Sequence, residues 1–210
     1  MLETVDFLKR ENNELVEIIL PNEDEIVTTM FQEMIGEGDF KAFTDMLEGE
    51  QLTAEYNLTA TITQLNSCLF SLASCFMKCT KPRMGKLVEA SKKLSTYEYQ
   101  CMIGRAKELR QEWVDYWRNN RLDLVICPNF AMEAPNHEAS NEGSLMAAYT
   151  YIWNVLGMPV ASTPVTTTRP DEQRYESAYD DDITTLIRRC VADSVGLPVG
   201  VQVVGLPFTD

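Results

Sequence analysis

Ser194-Val195-Gly196-Leu197-Pro198-Val199-Gly200-Val201-Gln202-Val203-Val204-Gly205-Leu206-Pro207-Phe208 is the stretch whose reading decides the fold. Its centre, Gly200 to Val204, is a short β-rich run punctuated on both sides by glycine and proline. Gln202 and the glycines read as structural, fixing a strand and its turns. Upstream, residues 158–165 form a second short β-rich segment. Residues 122–127 read as a buried strand stopped by Pro128-Asn129.

Helical patterns fill the intervals. Ser95 and Glu98 form a capping-box pattern ahead of Met102, Ala106, Leu109, Trp113 and Trp117, which recur every three or four residues. That spacing predicts a long core helix from Ser95 to Asn119. Further helices are expected over residues 1–13, from Asn22 with Glu25 through Ile26, Met30 and Met34, over 144–156 and near 183–193. Residues 15–20 read as a short apolar strand stopped by Pro21, and an acidic connector runs from Arg169 to Asp182. Helices alternating with short apolar strands indicate an α/β fold, its sheet covered on both faces.

The 210 residues suffice for a substantial core without disulfides or metals. A net charge of -14 argues against a nucleic-acid partner. The charge is uneven, for residues 61–121 hold 11 basic and 5 acidic groups. The six cysteines form no C-x-x-C pair and lie within apolar periodicity, which predicts a reduced, intracellular protein with core thiols. Cys75 and Cys79 share a helix face, but one histidine in the whole chain makes a poor zinc site, so no metal or other cofactor is expected. No signal peptide precedes the first helix, and no run is long enough to span a bilayer.

The basic middle begins with an amphipathic pattern. Ile62, Leu65, Leu69, Leu72 and Phe76 line one side, small polar residues the other, and Lys78, Lys81, Arg83 and Lys86 follow. A core helix with a solvated basic turn accounts for this pattern. The pattern alone favours that reading over a helix lying in a membrane interface, its cations near anionic head groups, and only a resemblance to a membrane cap reverses the preference. Complete catalytic sets are missing. His137 sits in a polar loop without a nucleophile beside it, and Asp180-Asp181-Asp182 reads as a charge run or helix start.

Gly196-Leu-Pro-Val-Gly-Val-Gln-Val-Val-Gly205, with Asn154-x-x-Gly157-x-Pro159-x-x-Ser162-x-Pro164 and Asp123-Leu-Val-Ile-Cys-Pro128, resembles the C-terminal half of amidase-signature hydrolases. Ala148-Tyr-Thr150, Pro164-Val-Thr-Thr167 and Lys81-Pro82-Arg83 make the fatty-acid amide hydrolase subfamily the nearest likeness. The resemblance implies part of the amidase-signature fold, a mixed β-sheet flanked by helices. It also implies hydrolysis of fatty-acid amides by a Ser-Ser-Lys triad with glycine-rich backbone amides as the oxyanion hole. No catalytic residue carries over, since the chain contains no Gly-Gly and no Ser-Ser dipeptide.

Substrate contacts do carry over: Tyr151 and Val155 match channel positions, Leu87 and Ser91 match entrance positions on a membrane cap, and Phe208 falls where the family has an aromatic near the channel. Residues 1–210 then form a partial amidase domain, with 62–91 as membrane cap and 122–208 as substrate-side sheet and helices. The expected partners are a fatty-acid amide, a membrane surface through residues 62–86 and a second copy in a homodimer. Location is expected to be intracellular, peripheral or endomembrane-associated. Both ends read as cuts in a longer domain. The alternative is a non-catalytic lipid- or partner-binding module derived from the same half.

Overall fold

The computed structural model describes residues 1–35, 41–52, 56, 60–61, 65–137, 139 and 144–209. The chain forms two compact units, Met1–Glu23 with Gln111–Asp210, and Asp24–Arg110. Its helices are α1 (Leu2–Arg10), α2 (Glu23–Ile35), α3 (Lys41–Met46), α4 (Ser67–Thr80), α5 (Pro82–Ala90), α6 (Thr96–Asn119), α7 (Ala148–Leu156) and α8 (Asp182–Val191). The strands are β1 (Val125–Pro128), β2 (Val160–Thr167) and β3 (Pro198–Val204).

The quoted tail becomes the central strand. The sheet order is β1-β3-β2, so β3 pairs on both sides. Val204 stands between Val125 and Val160, and Gln202 between Cys127 and Ser162. The α/β class holds. Of the mixed sheet implied by the resemblance, this chain forms three strands whose two pairings are both antiparallel. The expectation of a sheet covered on both faces fails at β2, which exposes nearly all its residues. Ser162, Thr163, Thr166 and Thr167 give that strand little apolar area to bury.

Turns on either side of β3 explain its glycines. The Leu197 N–H donates to Ser194 C=O at 3.0 Å while Gly196 adopts φ +82°, which is the third position of a type II turn. The same turn joins Thr168 in both directions, Gly196 N–H to Thr168 C=O and Thr168 N–H to Leu197 C=O, each 2.9 Å. Beyond the strand, Gly205 N–H donates to Pro159 C=O at 3.1 Å. The tail is therefore stitched to β2 from its first turn to its last.

The capping box on α6 forms as expected. Ser95 N–H donates to Glu98 Oε2 at 2.8 Å, and Glu98 N–H donates to Ser95 Oγ at 3.2 Å. All five residues of the stripe, Met102, Ala106, Leu109, Trp113 and Trp117, are buried. Helix α2 also starts where expected, but by other means. Asn22 has φ +57° and donates to Glu112 Oε2 at 2.7 Å, leaving Glu25 to a bidentate pair with Arg105. The hydrogen bond from Arg105 holds the Glu25 carboxyl below its ordinary value, against the opposing effect of burial. Ile26 and Met30 are buried.

Two local expectations are corrected. Residues 15–20 form no strand, and Val16 and Ile19 are exposed. A short apolar run marks residues able to pair, but no described strand offers them a ladder. The thiols are not core groups in general: all six are free, and Cys68, Cys75, Cys79 and Cys101 are exposed. Only Cys190 is buried.

Candidate functional site

In the unit that holds the sheet, α7 is fixed by its C-terminal turn. Gly157 adopts φ +65°, its N–H donates to Asn154 C=O at 3.1 Å, and Met158 N–H donates to Trp153 C=O at 3.0 Å. This is a Schellman closure, which requires a left-handed residue and leaves Pro159 to stop the helix. The Asn154-to-Pro159 motif is therefore a helix stop feeding β2. Trp153, Val155 and Leu156 are buried, while Tyr151 is half-buried.

Gln202 ties three elements together. Its buried side-chain amide donates to Pro128 C=O at 2.7 Å and to Tyr149 C=O at 3.2 Å, with Cys127 Sγ at 3.7 Å. It thus links β3 to the end of β1 and the start of α7. Asn129 Nδ2 donates to Ser162 Oγ at 2.7 Å, and the Thr150 hydroxyl donates to Asn129 C=O at 3.0 Å. Gly200 makes room for this crossing, since a Cβ there would lie 2.4 Å from Asn129 Nδ2 and 2.9 Å from Thr163 C=O. Burial pushes the Cys127 thiol up. Asn129 went unread in the sequence. Its only signal was its place directly after the strand-ending Pro128.

In the other unit, α4 and α5 form a helical hairpin. Asn66 caps α4 by accepting from Leu69 N–H at 3.0 Å, so the helix begins one residue after the cap and leaves Leu65 outside it. Ile62 lies outside the described residues. The backbones of α4 and α5 approach closely at Gly85, where a Cβ would stand 2.5 Å from Lys78 N and 2.6 Å from Lys78 Cα.

Helix α4 has apolar residues on both of its sides. Leu69, Leu72 and Phe76 are 50%, 68% and 66% exposed, whereas Phe70, Ala73 and Met77 are half-buried and Ser74 is buried. A cavity of about 800 Å³ runs along the helix, with walls that include Phe70, Ser71, Ser74, Cys75, Lys78 and Leu94. Lys78 is ion-paired to Glu89 at 2.5 Å, and Lys86 to Asp24 at 3.3 Å. Of the apolar stripe read from the sequence, Leu69, Leu72 and Phe76 are exposed, while Phe70 and Met77 beside it are half-buried.

The residues assigned to substrate contact fall in different places. Tyr151 and Val155 lie one turn apart on α7, Val155 facing the core. Phe208, also in the sheet unit, is 99% exposed with φ +65°. Ser91 belongs to the hairpin unit, follows α5 and donates its N–H to Val88 C=O at 3.1 Å. Leu87 lies on α5, its side chain outside the described set.

His137 is exposed in the loop after β1. The aspartate run is a helix start: Asp181 accepts from Thr184 N–H at 3.0 Å and Asp180 pairs with Arg188 at 3.0 Å. Among the described residues no group of three or more His, Cys, Asp or Glu converges on a metal position. No described helix is long and apolar enough to cross a membrane.

A central strand entered through a type II turn, a neighbouring strand fed by a Schellman-closed helix, and a helical hairpin joined in sequence make up part of an α/β fold of the amidase-signature type. The chain belongs to the amidase family, whose family model, Amidase, matches residues 1–210. It is 28% identical over 132 residues to fatty acid amide hydrolase 1 of Caenorhabditis elegans, covering 61% of this chain and 23% of the relative. It is 25% identical over 174 residues to fatty-acid amide hydrolase 1 of Sus scrofa, covering 81% and 30%. A solved fatty acid amide hydrolase superposes on the whole chain with a TM-score of 0.68 at 20% identity, the match covering 33% of that structure. The chain thus spans a third or less of the length of the relatives it matches.

Proposed function

We propose that these residues form the membrane-facing and acyl-binding part of an amidase acting on fatty-acid amides. The observation that carries this reading is the exposed apolar strip of α4, Leu69, Leu72 and Phe76, beside a basic flank. A soluble helix gains nothing from that arrangement, whereas a bilayer takes up the apolar side and attracts the cations. The similarity to fatty acid amide hydrolases supports a lipid amide as substrate. Tyr151 is the leading candidate for contact with the acyl chain, with Val155 beneath it. Leu87 and Ser91 serve the entrance, and Phe208 supplies an exposed aromatic. A peripheral membrane location and a homodimeric assembly belong to the same reading.

Two experiments test it. The chain should sediment with vesicles containing phosphatidylserine and lose that binding when Leu72 and Phe76 are both replaced by aspartate. Each cation near an anionic surface contributes about 1 kcal/mol. Even with ion pairs to Glu89 and Asp24 reducing that gain, neutralising Lys78, Lys81, Arg83 and Lys86 should weaken binding by roughly tenfold or more at low salt. Unchanged binding in both variants would sink the membrane reading. Fluorophosphonate labels an activated serine, so the isolated 210 residues, which lack Ser-Ser and Gly-Gly, are expected not to react. Strong labelling would show that they carry their own nucleophile.

A further inference from the structure

Helix α4 carries three of the six cysteines, and all three are exposed free thiols: Cys68, Cys75 and Cys79. At 3.6 residues per turn their spacing places them within about 40° of one another around the helix, along about 16 Å of its length. The strip they form runs between Leu72, with the exposed Leu69 and Phe76 beyond it, and Ser71, where Cys75 also borders the cavity. Lys81 and Arg83 follow directly after the helix. Thiols on an amphipathic helix that meets a membrane are in position for reversible acylation.

Other uses of the three thiols fit less well. They spread along the helix instead of converging, and no described cluster of three metal-ligating side chains includes them. The remaining cysteines differ in setting. Cys190 is buried and Cys127 half-buried. Cys101 is exposed, but on α6 it engages Tyr97 and shares its face with Glu98, Arg105 and Glu108. Exposure alone therefore does not distinguish the α4 thiols. Their apolar neighbours do.

We infer that Cys68, Cys75 and Cys79 are sites of S-acylation by a long-chain acyl-CoA thioester. The cysteine thiolate attacks the acyl carbonyl carbon, a new sulfur–acyl bond forms and the bond to the coenzyme A sulfur breaks. Coenzyme A leaves as the thiolate and takes up the proton released by the cysteine, with no change of oxidation state. The inference rests on the membrane contact proposed for α4 and deepens it. An apolar face with a basic flank holds a protein reversibly, and an attached acyl chain supplies the second signal that stable anchoring needs.

The test is to express the full 210-residue chain in eukaryotic cells fed an alkynyl palmitate and to measure label on the purified protein. The wild-type chain should carry label that neutral hydroxylamine releases. The triple variant Cys68→Ser, Cys75→Ser, Cys79→Ser should lose at least tenfold, and Cys101→Ser should keep wild-type label. All three substitutions fall on exposed positions, and circular dichroism checks that the fold is retained. Absence of hydroxylamine-sensitive label on the wild type, or label that survives in the triple variant, overturns the inference. Vesicle binding of the unacylated chain reads membrane contact separately. Binding without label in cells sinks acylation and leaves the membrane reading standing.

Discussion

Replacing Trp113 with alanine is expected to destabilise the chain by about 3–5 kcal/mol, the usual cost of deleting a buried large aromatic. Trp113 is 1% exposed and touches three aromatic rings: Tyr116 at 5.5 Å, Trp117 at 5.8 Å and Trp153 at 5.7 Å between centroids. Tyr116 and Trp117 lie on its own helix, but Trp153 belongs to α7, so the substitution opens a cavity and also cuts the contact between α6 and α7. The loss should lower the midpoint of urea unfolding without changing the slope. A second variant separates packing from polarity. The Trp113 indole N–H has no hydrogen-bond partner among the described residues. Trp113→Phe therefore sacrifices ring area but no hydrogen bond, and should cost clearly less than alanine. Equal losses in the two variants would show that a hydrogen bond, and not ring packing, dominates at this position.

What the sequence discloses about this fold is what local chemistry determines. The Ser95–Glu98 box, the Gly157 closure and the Gly196 turn each need a particular residue at a particular offset, so they can be read directly. The stripe from Met102 to Trp117 is legible for a related reason, because its spacing repeats long enough to exclude a strand. Residues 15–20 mislead because a strand exists only when another strand pairs with it, and a short apolar run does not say whether one is present.

Helix α4 misleads differently. Periodicity locates its apolar face but not the medium which that face meets. The same limit applies to its cysteines, which sit in apolar periodicity yet are exposed. Among the residues proposed for substrate contact, Tyr151 and Val155 come together because one helix carries both. Phe208 and Ser91 lie far apart in sequence, in different compact units, and spacing along the chain cannot relate them.

Gly85→Ala should destabilise the α4–α5 hairpin by about 1–3 kcal/mol, and the sign of the effect is as informative as its size. In an isolated helix the substitution would stabilise, since alanine is favoured over glycine by about 1 kcal/mol. Here the added Cβ would stand 2.5 Å from Lys78 N and 2.6 Å from Lys78 Cα, and those are backbone atoms that no rotamer change can move aside. The helices must separate by several tenths of an ångström or more, which also disturbs the Lys78–Glu89 ion pair spanning them. Thermal and urea unfolding followed by circular dichroism would measure the change. Stabilisation by about the propensity difference would mean that the two helices do not touch at Gly85, contradicting the hairpin. Destabilisation should be accompanied by weaker vesicle binding, because the outward presentation of Leu69, Leu72 and Phe76 depends on α4 keeping its other face, with Phe70, Ala73, Ser74 and Met77, turned inward. The two readouts should therefore fall together in Gly85→Ala, whereas substituting Leu72 and Phe76 should abolish vesicle binding and leave unfolding nearly unchanged, since exposed positions contribute little to stability.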